Sequence, residues 1–86
     1  MRVITGLQIR ASRAALRWSA QTLASSAGVG IQTIKRFEAV DGVPPSRTET
    51  LLAIKATLEA GGVEFIGSPN DRPGIRVSTP PSASRK

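Results

Sequence analysis

Ser19-Ala20-Gln21-Thr22-Leu23-Ala24-Ser25-Ser26-Ala27-Gly28-Val29-Gly30-Ile31-Gln32-Thr33-Ile34-Lys35-Arg36-Phe37-Glu38 is the stretch on which the fold turns. Ser19 can cap a helix running through Ala27, with Ala20, Leu23, Ala24 and Ala27 as its inward stripe. Gly28-Val29-Gly30 breaks the pattern, and glycine just past a helix end takes the left-handed conformation at low steric cost. A second short helix, residues 31–38, carries Ile34 and Phe37 on one side and Gln32, Thr33, Lys35 and Arg36 on the other. Two helices that cross closely need a small residue at the crossing, and Ala24 supplies it. Val29, Ile34 and Phe37 then anchor the second helix. The spacing predicts a helix-turn-helix arrangement.

Towards the N-terminus, Thr5-Gly6-Leu7-Gln8 has the spacing of a capping box, and the residues to Arg17 are good helix formers. Their apolar positions fall on two faces, Leu7/Ala11/Ala14/Trp18 and Ile9/Leu16, and periodicity leaves open which is the deeper. Towards the C-terminus, residues 39–45 form a connector with an Asp41-Gly42 turn signal and two prolines. Ser46-Arg47-Thr48-Glu49 is a second capping-box pattern, opening a helix with Leu51, Leu52, Ile54, Ala56 and Leu58, which Gly61-Gly62 stops. The period then changes to two. Val63/Phe65 and Ile75/Val77 share one face of a predicted hairpin, and Glu64 can meet Arg76 on the other. Residues 67–73 between them read as a turn-rich connection, long for a tight hairpin. Two strands alone are marginal in water, so this hairpin should lie on the helices or against a second subunit. The serine- and proline-rich end reads as a disordered tail. The expected division is 1–62 helical, 63–78 hairpin and 79–86 tail.

The chain has 86 residues, with 12 basic and six acidic side chains, no cysteine and no histidine. Those absences remove disulfides, thiolate or imidazole metal sites and histidine base chemistry. No nucleophile–base pair and no phosphate-cradling glycine loop is visible, so neither an enzyme nor a metal or cofactor is expected. No apolar run approaches the roughly 20 residues of a membrane span. The first residues show no signal-peptide hydrophobic stretch, which leaves a soluble cytoplasmic protein as the expectation. The charge is unevenly placed. Residues 1–36 hold six basic residues and no acid, and residues 37–86 hold the other six with all six acids. A polyanion is the indicated partner, with its footprint on the N-terminal half, and a solvated basic face is the alternative.

Residues 13–24 (Arg13-Ala14-Ala15-Leu16-Arg17-Trp18-Ser19-Ala20-Gln21-Thr22-Leu23-Ala24), with Ala27-Gly28-Val29 and Ile34-Lys35-Arg36-Phe37-Glu38, resemble the Cro/repressor (XRE) family of DNA-binding domains. The resemblance covers about residues 5–60. It implies a mainly α fold, a compact four-helix lambda-repressor-like domain, here followed by a short C-terminal β-hairpin outside the family's common core. It also implies a transcriptional regulator that inserts its third helix into the major groove of double-stranded DNA, usually as a homodimer on a two-fold operator.

By the same resemblance, base contacts match Ile31, Gln32 and Arg36. Arg36 can bond guanine O6 and N7 bidentately, and Gln32 can read adenine or hydrogen-bond a phosphate. Ile31 departs from the polar residue often found there; a thymine methyl contact and a half-exposed core position both fit it. Thr33 and Lys35 suit phosphate contacts. The family often opens its second helix with a glutamine that grips a phosphate. Here that position is Ala20 and the glutamine is Gln21, one residue later, so amides at a helix start capped by Ser19 are the other candidate. Arg47, after the connector, is a candidate for phosphate or minor groove. Arg13 matches an arginine that commonly pairs with the glutamate matching Glu38, and phosphate binding is its alternative. Arg10 and Arg17 carry no such duty; an exposed helix arginine is often only solvated, and direct DNA contact is the lesser alternative for each. The hairpin, with a free strand edge, is the candidate dimer contact. A different class of function, a protein-interaction module such as an antitoxin or adaptor, would use the same fold through the hairpin or tail.

Overall fold

A computed structural model describes residues 3–45 and 47–77. Four helices, α1 (Gly6–Leu16), α2 (Ala20–Ala27), α3 (Ile31–Glu38) and α4 (Thr48–Ala60), precede an antiparallel hairpin, β1 (Val63–Ser68) and β2 (Asp71–Val77). The mainly α expectation holds at this level.

Local chemistry sets most of the boundaries. Thr5 and Gln8 form the full capping box: the Gln8 amide donates to Thr5 Oγ1 at 3.1 Å, and the Thr5 amide donates to Gln8 Oε1 at 2.9 Å. α1 ends at Leu16, one residue short of the expected end, because Arg17 turns left-handed. Ser19 Oγ accepts the Thr22 amide at 3.0 Å to open α2, and Gly28, at φ 74°, closes it. α4 differs from the sequence reading at its start. Its N-cap is Arg47, with no side-chain cap bond, so Arg47 precedes the first turn. The expected capping residue, Ser46, lies outside the described residues.

One apolar cluster joins all these pieces. Ile9 comes from α1, Leu23 and Ala24 from α2, and Ile34 and Phe37 from α3. Leu51, Ile54 and Leu58 come from α4, with spacings of three and four that keep them on one face. The open question on α1 is thereby answered. Ile9 is buried and Leu16 packs against the cluster, whereas Leu7, Ala11 and Ala14 face outward. Trp18, beyond the helix end, also packs inward. Leu52 and Ala56 are exposed, so the apolar stripe on α4 is narrower than its composition suggests.

The hairpin shares that cluster through Val63 and Phe65, both almost wholly buried. Its register pairs Val63 with Val77, Glu64 with Arg76 and Phe65 with Ile75, as the alternation predicts. The expected long connection is corrected. The strands continue to Ser68 and Asp71, leaving only Pro69 and Asn70 between them. A bulge in β2 sets Arg72 and Pro73 opposite the single residue Gly67, which has φ 75° and where a Cβ would strike the Arg72 carbonyl. The hairpin lies on α1 as well as beside α4. Gln8 Nε2 donates to the carbonyls of Ile66 at 3.2 Å and Gly74 at 2.8 Å, so one buried amide caps α1 and fastens both strands. The tail expected at 79–86 lies outside the described residues, as does Ser78.

Candidate nucleic-acid interface

α3 has two opposed sides. Ile34 and Phe37 are buried, which turns Gln32, Lys35 and Arg36 outward; separated by three and four residues, these three share a face, and all are exposed. Thr33 is half-buried at the margin. Ile31 is half-buried too and packs against the apolar cluster, so most of its side chain serves as an anchor. At eight residues, α3 is about 12 Å long, close to the width of the major groove.

Two arginines of α1 fix the end of this helix. Arg13 Nε donates to Glu38 Oε2 at 2.8 Å and Nη2 to Oε1 at 2.9 Å, the forked geometry of a strong arginine–carboxylate pair. Its Nη1 donates to the Trp18 carbonyl at 3.0 Å. One guanidinium therefore ties α1, the α1–α2 turn and the last residue of α3 together. The hydrogen bond that Arg13 donates to Glu38 holds the guanidinium above its ordinary pKa, against the opposing effect of burial. Arg10 adds a contact that the sequence reading missed. It donates to the Glu38 main-chain carbonyl and, at 2.7 Å, to Asp41 Oδ1, so it is not a spare cation on α1. A cation at a helix C-terminus also meets the negative end of the helix dipole. The spacing gives no hint of this pair, because the connector is brought back by the Gly6 amide bonding the Gly42 carbonyl at 2.8 Å.

The remaining candidates are spread over other elements. Ser19 Oγ is occupied by the Thr22 amide and lies 2.9 Å from Thr22 Oγ1, so its hydroxyl serves the cap. Gln21 is exposed at the start of α2 and donates from Nε2 to Ser25 Oγ at 3.0 Å. Arg47 is exposed at the N-cap of α4.

Ion pairing separates the described cations other than Arg47 into two groups. Arg10, Arg13, Lys55, Arg72 and Arg76 each contact an acid: Asp41, Glu38, Glu59, Asp71 and Glu64 respectively. Arg17, Lys35 and Arg36 have no acidic partner among the described residues, and all three are exposed. Arg36 instead lies over the Phe37 ring, 5.7 Å from its centroid, a cation–π contact that steadies its stem. Among the described residues, these three unpaired cations lie on α3 and at the turn after α1.

The chain matches no protein-family model and no curated protein. No helix among the described residues is long and apolar enough to cross a membrane.

Proposed function

We propose that this chain is a sequence-specific, double-stranded DNA-binding transcriptional regulator of the Cro/repressor helix-turn-helix type, with α3 as the helix that enters the major groove. The observation that carries this reading is the outward face of α3. Gln32, Lys35 and Arg36 stand on it together, exposed, with no acid paired to either cation among the described residues. Buried Ile34 and Phe37 hold the opposite side, and the Arg13 and Arg10 contacts hold the C-terminal end.

On this reading Arg36 reads guanine, Gln32 reads adenine, and Lys35 and Thr33 meet phosphates. Ile31 keeps a smaller role, offering a thymine methyl only the part of its side chain that the core leaves uncovered. Gln21, the helix start that Ser19 caps, and Arg47 extend the phosphate contacts. A single eight-residue helix reaches few base pairs, so specificity calls for a homodimer with half-sites about 34 Å apart. The uncovered remainder of the hairpin, Val77 and the outer strand edges, is the proposed dimer contact, since Val63 and Phe65 are already taken by the core.

Selection of bound duplexes from a random pool tests this. The expected result is a two-fold symmetric motif with a guanine preference in each half-site. Arg36→Ala should relax that preference and cost about 1–3 kcal/mol on the selected site. Equal weakening on selected and random DNA would reduce Arg36 to a phosphate contact. A pool that yields no enriched duplex would remove the reading and leave the protein-interaction module in its place.

A further inference from the structure

We propose that Arg17 is an additional DNA-backbone contact, one that the chain carries at the expense of its own stability. The inference rests on the DNA-binding reading of α3 and extends its footprint to the α1–α2 turn.

The first observation is conformational. Arg17 closes α1 with φ 61° and ψ 34°, in the left-handed region. Glycine takes this conformation without the Cβ clash that any other L-residue suffers. Gly28 does so at the equivalent place after α2, with φ 74°. A long, exposed cation thus occupies a position whose backbone favours glycine.

The second observation is electrostatic. The Arg17 guanidinium makes no hydrogen bond and no ion pair among the described residues, although five other cations find acids. The other positive-φ non-glycine residue, Arg72, differs on this point, since it contacts Asp71.

The third observation is placement. Residue 18 is fixed on both sides: its carbonyl accepts from Arg13 Nη1, and its ring lies where a Cβ on Gly61 would meet it. The same Arg13 guanidinium grips Glu38, at the end of α3. Arg17 therefore projects from a rigid turn one residue away from a group tied to the helix that carries Lys35 and Arg36. A third unpaired cation, held one residue from a group tied to that helix, suits a further phosphate of the same duplex.

The test compares the full chain with Arg17→Gly and Arg17→Lys for thermal stability and for binding to a random-sequence duplex at several salt concentrations. Arg17→Gly should melt about 4 °C higher, because the left-handed turn is relieved. It should also bind about 3- to 10-fold more weakly at low salt, with a slope of log K against log salt shallower by about 0.9 per protomer. Arg17→Lys should bind like the parent. Unchanged affinity and slope in Arg17→Gly, in a chain whose Lys35→Ala variant binds more weakly, would overturn the role of Arg17 and leave the reading of α3 standing. Arg17→Lys binding as weakly as Arg17→Gly would overturn it too. A parent chain that binds no duplex would bring down both.

Discussion

Arg13 spends its guanidinium on three acceptors, and Glu38 has both carboxylate oxygens in that fork. The pair is only partly exposed, so removing one member strands the other in a poorly hydrated site. Arg13→Met should cost about 2–3 kcal/mol, and Glu38→Leu a similar amount. The double variant should lose clearly less than their sum, with a coupling of about 1–3 kcal/mol measured by denaturant unfolding. Additive losses would show that the two side chains act independently. Single residues are unevenly legible in the sequence. The Arg13–Glu38 pair, 25 residues apart, is reached only through a resemblance. The Arg10–Asp41 pair escapes notice because its 31-residue separation closes only when the connector folds back on Gly6. Gln8 reads correctly as a cap, yet its Nε2 bonds to strands some 60 residues away follow from no local rule.

Helix ends are the most readable elements, because caps are local: Thr5 with Gln8, Ser19 and Gly28 all mark the ends that they predict. α3 occupies its expected span for the same reason, with Ile34 and Phe37 three apart inside it. The hairpin is legible in register but not in its turn. Period-two alternation fixes which residues share a face, whereas the bulge opposite Gly67 brings that residue against the Arg72 carbonyl, an approach no local pattern announces. Its attachment to the helices is not legible at all, although it has consequences. Gln8→Leu leaves the Ile66 and Gly74 carbonyls without their donor and the Thr5 amide without its acceptor. It should cost about 2–4 kcal/mol in chemical denaturation. Stability equal to the parent would show that apolar packing alone docks the hairpin. Val63 and Phe65 make the point more strongly: a chain ending at residue 62 removes two members of the core cluster and should lose cooperative melting.

A domain of this size has a modest core and a narrow stability margin, and here the hairpin contributes to that core. Charge is arranged differently from apolar surface. Five of the six acids neutralise cations on α1, α4 and the hairpin, while Lys35, Arg36 and Arg17 keep their charge outward. The first-half excess is legible from composition; which cations stay unpaired is not, since that depends on where the connector and strands bring their acids. Titration of the chain with a random-sequence duplex between about 50 and 200 mM salt is the decisive measurement, because phosphate neutralisation by the α3 face must show there. A slope of log K against log salt of roughly −4 to −8 is expected for a dimer. In Lys35→Ala the slope should be shallower by about 0.9 for every phosphate on the duplex that the variant no longer neutralises. Binding that is absent at low salt, or insensitive to salt and to Lys35 alike, would contradict a DNA-binding role for α3.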